Sequence, residues 1–354
     1  MKKHPLGSAS TTFFRHQAGR ARRFAGKIRR KTQFVLVPPP IILCYHRIFD
    51  PEIDPHLLSV SANHFRQHLE VIKRIGQPLS LDQLSDAMER GNVPRRGVII
   101  TFDDGYLDNA ENALPILRDA KVPATIYIAT SYVGVDREFW WDDLERLTLG
   151  PGKLPKILRL QVNGRTREWD LDSDSADHSD WNVLATGDRN ARQRLFCDLH
   201  AALRPLAEPL QQDVLDQLRQ LTGTKPEARP SYRCMSASEL ETLAADSLIT
   251  LGAHTISHCD LDYRTHADQQ TEIAGSKEQL EKIIGRPVEH FSYPYGSFNE
   301  HSVAVCAQNT FRSAVTCIDE PVHRRSHRHR LPRFLVRNWN GADFERQLKR
   351  FFRG

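Results

Sequence analysis

The chain has 354 residues, 40% of them hydrophobic and 26% charged, which is enough to bury one large α/β core or two smaller ones. Its formal net charge is +5, but residues 1–40 hold ten Lys and Arg and no Asp or Glu, so the remainder carries −5. This distribution argues against nucleic-acid binding, because phosphate recognition needs a concentrated basic face on the folded part.

The basic N-terminal arm, residues 1–40, lacks the apolar run of a signal peptide, and the chain lacks the run of about 20 apolar residues that a membrane-spanning helix requires. Six scattered cysteines without a CxxC pair also fit a reducing compartment. The sequence therefore predicts the cytoplasm or the inner membrane face. As a helix the arm would separate an apolar stripe from its arginines and suit an anionic membrane surface; a disordered tail is the alternative.

Residues 41–149 alternate between strand and helix patterns, which predicts parallel strands joined by crossover helices. The strands are short apolar runs, and the helices begin at capping residues or end at glycines. Strands are predicted at Ile41–Tyr45, Gly97–Phe102 and Ala124–Ala129, and helices between Ser61 and Gly76, between Ser80 and Gly91, and from Ala110 to Ala120.

Residues 150–233 interrupt this alternation. Apolar runs on both sides of Asn163-Gly164 predict a hairpin, because this pair supplies the positive backbone angles of a tight turn. A polar stretch from Asp170 to Asp180 follows, and then one or two helices between Ala191 and Leu221. We interpret the segment as an insertion that covers a cleft like a lid.

Strand and helix patterns alternate again in residues 234–354, so the two flanking segments are predicted to form one domain. Ser236 and Glu239 make a capping box for the next helix. Strands are predicted at Leu248–Gly252 and His290–Tyr293, and a long helix at Gln269–Ile284.

Polar residues follow four of these apolar runs: His46, Asp103-Asp104, His254 with His258, and the segment Phe291–Gly296. Loops at the carboxyl ends of parallel strands converge, so these residues are predicted to share one mouth. Two His at i, i+4 can converge on one cation if their segment takes a helical turn. With one Asp they form a three-ligand set with room for water, and the other Asp is free to act as a general base. Taken singly, Asp-Asp-Gly is an ordinary turn and the His pair an exposed helical pair.

The motifs Thr-Phe-Asp-Asp-Gly at 101–105 and His-Thr-Ile-Ser-His at 254–258 resemble those of the polysaccharide deacetylases with a NodB-type homology domain, carbohydrate esterase family four. The resemblance runs from about residue 41 to 333, and Phe139–Asp143 looks like the start of the insertion in bacterial surface-glycan members. It implies an α/β fold, a distorted (β/α) barrel with fewer than eight regular strands.

The resemblance also implies roles for individual residues. Asp104, His254 and His258 would hold one divalent metal, usually zinc. Asp103 would be the general base, and the backbone N–H of Tyr295 would stabilise the oxyanion.

Two departures from the family pattern stand out. Ser292 occupies the place of an Arg that holds the catalytic Asp in many members, and Arg333 is the candidate replacement, with a plain surface Arg as the alternative. The late Leu-x-His motif, whose His protonates the leaving amine, is missing. His46 is a candidate for that acid or for substrate binding, and a structural His is equally compatible, so the proton donor is unassigned.

Several residues are predicted to contact substrate, because pyranose faces pack against aromatic rings. Core packing is the alternative for each ring; it is favoured for Tyr45, and sugar contact is favoured for one of the two tryptophans. The predicted substrate-binding residues are His46, Trp140, Trp141, Tyr293, Pro294 and Arg333.

The sequence thus predicts an enzyme that removes acetyl groups, N-acetyl above all, from a bacterial polysaccharide or glycan precursor. Two alternatives stay open: a catalytically silent glycan-binding barrel, and an amidase acting on a non-sugar acetamide. An acetylated glycan is the expected partner. The sequence carries no signal for an oligomeric state.

Overall fold

A computed structural model describes residues 38–171 and 181–354. Nearly all of the predicted basic arm and most of the polar stretch Asp170–Asp180 lie outside the described residues. The strands are β1 Ile41–Tyr45, β2 Arg47–Ile48, β3 Ser59–Val60, β4 Gln77–Leu79, β5 Gly97–Phe102, β6 Ala124–Ile128, β7 Ile157–Val162, β8 Arg165–Asp170, β9 Ile249–Ala253, β10 His290–Ser292, β11 Ser313–Val315 and β12 Phe334–Leu335. The α-helices are α1 Ala62–Ile75, α2 Leu81–Glu89, α3 Leu114–Ala120, α4 Trp140–Thr148, α5 Ala191–Leu203, α6 Glu208–Thr222, α7 Ala237–Ala244, α8 His266–Ile284, α9 Glu300–Gln308 and α10 Gly341–Phe351.

The central sheet is a curled array of parallel strands in the order β11-β10-β9-β6-β5-β1-β12, and β4 pairs with the start of β5. Its two edges approach each other, because β12 pairs with β1 while Leu331, just before β12, bridges in parallel to Val315 of β11. This confirms the predicted distorted (β/α) barrel. Strands β1, β5 and β6 are buried along their whole length, as expected for parallel strands covered on both faces.

Local signals account for most element boundaries. The predicted capping boxes at Ser80 and Ser236 are both formed. Helix α8 begins earlier than predicted, at His266, because Thr265 forms a further capping box with Asp268. The helix predicted from 110 to 120 is a π-helical turn over 109–113 followed by α3, in which Pro115 has no N–H to donate to a continuous α-helix.

A second hydrophobic core joins the insertion to the barrel. It combines Leu158, Leu160 and Val162 of β7 with apolar side chains of α4, α5 and α6. Arginines of the inserted segment also pair with buried acids at α4: Arg219 with Asp143, and Arg229 with Glu138 at 2.7 Å. The insertion is therefore fixed to α4 by packing and by ion pairs.

No helix in residues 38–171 and 181–354 is long and apolar enough to cross a bilayer.

Candidate active site

The carboxyl ends of four strands of the central sheet, β1, β5, β9 and β10, carry the predicted site residues. Tyr45 of β1 pairs with Phe102 of β5, so His46 and Asp103 leave the sheet side by side. Ala253 of β9 pairs with both Ile128 of β6 and Phe291 of β10, which brings the segments after β9 and β10 to the same edge. Sheet register thus brings together all four polar segments.

Asp104, His254 and His258 converge on one point in the protein interior. Oδ1 of Asp104 lies 3.5 Å from His254 Nε2 and 3.2 Å from His258 Nε2, and the three residues are at most 5% exposed. This buried oxygen nevertheless accepts no correctly oriented hydrogen bond from any described residue. Tetrahedral zinc with ligands at about 2.0–2.2 Å separates neighbouring ligand atoms by roughly 3.3 Å. The separations and the orphaned oxygen therefore fit a shared cation.

The two imidazoles are oriented in different ways. His254 Nδ1 lies 2.8 Å from the Ser292 carbonyl oxygen, which only accepts, so Nδ1 carries a proton and Nε2, beside Asp104, is the nitrogen available to a cation. His258 Nδ1 is buried and has no hydrogen-bond partner among the described residues. Its ring is instead surrounded by aromatic side chains.

The pKa shifts favour the protonation states that bind a metal, an ionised Asp104 and a neutral His258. Burial alone would raise the pKa of Asp104, but its interactions with His254 and His258 outweigh burial and hold that pKa well below its usual range. Burial lowers the pKa of His258 despite the neighbouring Asp104 carboxylate, which favours the neutral, metal-binding imidazole.

The carboxylate of Asp103 has a different set of hydrogen-bond partners. Arg333 binds it in a bidentate manner, with Nη1 to Oδ1 and Nη2 to Oδ2 both at 2.7 Å. The Ser292 hydroxyl donates to Oδ2 at 3.2 Å, and the Cys44 thiol lies 3.6 Å from the same oxygen. Burial alone would raise the pKa of Asp103, but Arg333 and then His254 outweigh it and lower the pKa to about 2.

Arg333 fills the place left by Ser292 and is itself fully buried. Its Nε donates to the Thr316 carbonyl at 3.0 Å, and Nη1 also reaches the Thr101 hydroxyl at 3.1 Å. Every guanidinium nitrogen is bound to the protein, and the predicted substrate contact of Arg333 stays a prediction. The prediction that it supplies a cation for Asp103 agrees with these distances.

Backbone strain concentrates at the same mouth. Asp104, Thr255, His258 and Tyr295 have φ between 54° and 78°, which makes them four of the nine non-glycine residues with positive φ in the described chain. Such conformations cost free energy and persist where the surroundings impose them, as they do at active sites.

The remaining predicted substrate-binding residues differ in how far they are buried. His46 is half-buried, its Nδ1 has no partner among the described residues, and a ring nitrogen lies within 4.8 Å of an Asp103 oxygen and of Cys44. Trp141 packs against His258. Trp140, Tyr293 and Pro294 are also buried. Trp140 donates to the Tyr295 hydroxyl and Tyr293 to the His329 carbonyl inside the protein, and the sugar contact of these residues stays a prediction.

Sequence reasoning missed two groups at the site. Cys44 belongs to a predicted strand and has no predicted role there, although parallel pairing of β1 with β5 sets it beside Thr101 and near Asp103. Arg204 comes from the insertion; its guanidinium lies 4.5 Å from the centre of the Tyr295 ring, and its Nε binds Asp260 at 2.7 Å. No local pattern signals this contact, because it depends on how the insertion folds back.

Known proteins resemble the chain in sequence and in fold. Poly-β-1,6-N-acetyl-D-glucosamine N-deacetylases of Escherichia coli K12 and Staphylococcus aureus MSSA476 are 30% identical over 86 residues and 38% identical over 77 residues. These matches cover 24% and 22% of this chain but only 13% and 27% of those proteins.

Two solved structures have similar folds. The Streptococcus pyogenes deacetylase PplD in complex with acetate gives a TM-score of 0.54 at 16% identity, covering 88% of this chain and 98% of that one. IcaB from Ammonifex degensii gives 0.54 at 15% identity, covering 90% and 98%. A family model described as polysaccharide deacetylase matches residues 90–184 and 220–314, together more than half of the chain. The chain belongs to the polysaccharide deacetylase family.

Proposed function

We propose that this chain is a metal-dependent deacetylase that hydrolyses acetyl groups, N-acetyl above all, on a bacterial polysaccharide or glycan precursor. The proposal rests on one observation. The side chains of Asp104, His254 and His258 converge in the protein interior, beside the carboxylate of Asp103, which is bound by Arg333. A passive binding barrel has no need for this arrangement, because burying two adjacent carboxylates is costly.

Asp104, His254 and His258 would hold the cation, and zinc is the best match to one carboxylate and two imidazoles. When bound, such a cation polarises the acetyl carbonyl and acidifies a water molecule. His254 is held in the ligating tautomer by the Ser292 carbonyl. The site therefore needs only one ligand, His258, to be oriented by other means.

Asp103 would accept the proton of the attacking water. Its pKa of about 2 keeps the carboxylate ionised throughout the neutral range. Arg333 and Ser292 hold both of its oxygens, so the acceptor lone pairs keep one direction.

The water oxygen would add to the acetyl carbon, and the carbon–nitrogen bond would then break to leave acetate and a free amine. The backbone N–H of Tyr295, in a turn with φ of 58°, would donate to the oxygen that gains negative charge. His46 is the further imidazole at the mouth and is our candidate for protonating the departing nitrogen.

For the substrate we propose an N-acetylglucosamine polymer, on the strength of the names of the two relatives. Because the similarity covers a small part of those proteins, poly-β-1,6-linked N-acetylglucosamine is the first compound to test rather than an assignment.

Acetate release tests the proposal directly. Metal-free protein reconstituted with zinc should release acetate from N-acetylglucosamine oligomers, and a chelator should stop the reaction. Asp103→Asn should lower kcat at least about 100-fold while the zinc content stays stoichiometric, because it removes a general base and leaves the three ligands. His258→Ala is the matched variant and should lose zinc.

Other outcomes would contradict the proposal. Absence of metal-dependent release from any acetylated glycan would favour a binding barrel. Equal rates on glycans and on simple acetamides would favour a general amidase.

A further inference from the structure

We propose that Trp141 is a positioning residue that orients the metal ligand His258, in place of the hydrogen bond to Nδ1 that none of the described residues supplies. The inference rests on the proposed function, because it assumes that His258 binds a cation. It assigns a task to α4, the helix that precedes the insertion.

The starting point is the asymmetry between the two imidazoles. Metal-ligating histidines usually donate their second N–H to a carbonyl, a carboxylate or water, and this bond sets the ring plane. His254 follows the rule through Ser292, whereas His258 Nδ1 is buried and has no partner among the described residues. A ligand on the αL-like backbone of His258, with φ of 54°, therefore needs another constraint on its ring.

Aromatic rings supply that constraint. The ring centres of Trp141 and Tyr295 lie 4.6 and 4.8 Å from that of His258, at interplanar angles of 56° and 73°. Phe139 makes a third contact at 5.7 Å. Three aromatic rings packed at steep angles against the imidazole resist its rotation.

Trp141 can serve as a fixed wall because two other contacts hold it. Its Nε1 donates to the Tyr106 hydroxyl at 3.0 Å, and that hydroxyl donates to Asp142 Oδ2 at 2.6 Å. The second contact is a stack on Phe139, with ring centres 4.4 Å apart and an interplanar angle of 12°. Tyr106 follows the Asp103-Asp104 pair by two residues, so the hydrogen-bonded chain ties α4 to the loop that carries the acidic ligand.

The neighbouring tryptophan, Trp140, holds Tyr295, the second ring that packs against His258. Trp140 donates to the Tyr295 hydroxyl at 3.2 Å. Two adjacent residues of α4 thus act on His258: Trp141 packs against it directly, and Trp140 holds Tyr295, which packs against it. In this arrangement α4, the helix that precedes the insertion, holds the rings that pack against the metal ligand His258.

Metal affinity and ligand-field spectra test the inference without reference to turnover. Metal-free full-length protein would be titrated with Co²⁺, followed by Zn²⁺ competition. Trp141→Leu should weaken metal binding by about 10- to 100-fold, the range for lost outer-shell partners, and should shift the visible Co²⁺ bands. Trp141→Phe keeps an aromatic ring against His258 and should recover most of the metal affinity that Trp141→Leu loses. A side chain that only filled space would not require this recovery.

The matched control is Trp169→Leu. Trp169 lies on β8, half-buried, with its Nε1 on Asp198, and has no contact with the imidazoles among the described residues. This variant should bind Co²⁺ with unchanged affinity and spectrum. Tyr106→Phe removes one oxygen from the chain that holds Trp141 and should weaken binding by a smaller factor than Trp141→Leu.

The outcomes separate the two proposals. If the wild-type protein binds no stoichiometric Co²⁺ or Zn²⁺, the proposed function fails. If the wild type binds metal and Trp141→Leu matches the Trp169→Leu control in affinity and spectrum, only the positioning role of Trp141 is overturned. Should Trp141→Leu fail to fold, Tyr106→Phe decides: wild-type affinity and bands would refute the inference, and weakened binding would support it.

Discussion

Asp103 depends on a cation that reaches it from a distant part of the chain. A carboxylate that is 3% exposed would normally take up a proton, because burial penalises its charge. Arg333, 230 residues later, prevents this with two hydrogen bonds of 2.7 Å. Arginine suits the position better than lysine, since its planar fork binds both oxygens while Nε still reaches Thr316.

Removal of this guanidinium should be costly. Arg333→Gln leaves Asp103 buried without a counter-ion, and we expect the free energy of unfolding to fall by about 3–5 kcal/mol in urea titrations. Arg346→Gln is the control, because Arg346 lies on the surface of α10 and pairs with Asp343 of the same helix. That change should cost less than about 0.5 kcal/mol. Equal losses in the two variants would show that the Arg333–Asp103 pair contributes little to stability.

Among the elements, α4 connects the barrel to the insertion through buried charges. Asp142 accepts from the Tyr106 hydroxyl inside the protein, while Asp143 and Glu145 pair with arginines of the inserted segment. Burial raises the pKa of Asp142 to about 8, although the nearby Arg47 charge opposes the shift. This carboxyl is thus protonated in the folded protein at a pH where the unfolded chain has lost the proton.

The raised pKa predicts how stability varies with pH. The folded state holds the proton more tightly, so the contribution of Asp142 is complete below about pH 4 and is lost as the pH rises toward 8. Asp142→Asn keeps an acceptor for Tyr106 and removes the titration. Between pH 5 and 8 the unfolding free energy of the variant should therefore fall less steeply than that of the wild type, by up to about 1.4 kcal/mol per pH unit.

Urea titrations at several pH values measure both slopes. Glu241→Gln, at an exposed position of α7, is the control and should keep the wild-type slope. An Asp142→Asn slope equal to that of the wild type would contradict the pKa assignment.

At the scale of the whole molecule, the site joins strands that are distant in sequence. The three candidate ligands follow β5 and β9, which flank β6 in the sheet, and the insertion lies between them in sequence. A cation bound only by the folded state would stabilise the entire barrel, because its ligands are dispersed in the unfolded chain.

Metal removal should therefore lower thermal stability. At a zinc concentration about 1,000 times the Kd, binding contributes about 4 kcal/mol, so a chelator should lower Tm by several degrees in calorimetry, and added zinc should restore it. His258→Ala should show little response to chelator or zinc. A wild-type Tm that is independent of zinc and chelator would contradict the metal site.

Local physics makes much of this molecule predictable from the sequence alone. Runs such as Ile41–Tyr45 and Gly97–Phe102 are strands with the predicted bounds, because a short apolar run rich in β-branched residues is typical of a strand covered on both faces. Ser80 and Ser236 mark helix starts because a hydroxyl three residues from a Gln or Glu satisfies free backbone N–H groups. The same reasoning overlooked α10, although Phe344, Leu348 and Phe351 have helical spacing and are buried.

Parallel strands also imply that motifs at their carboxyl ends meet, so the order of strands and motifs in the sequence suffices to group Asp103, Asp104, His254 and His258. Only the tertiary structure decided which partners surround them. Arg333 reaches Asp103 because the segment before β12 closes onto β11, and two of the predicted sugar-binding rings, those of Trp140 and Tyr293, are buried by packing. These contacts join residues far apart in the chain, and their free energy comes from burial and charge that no local pattern encodes.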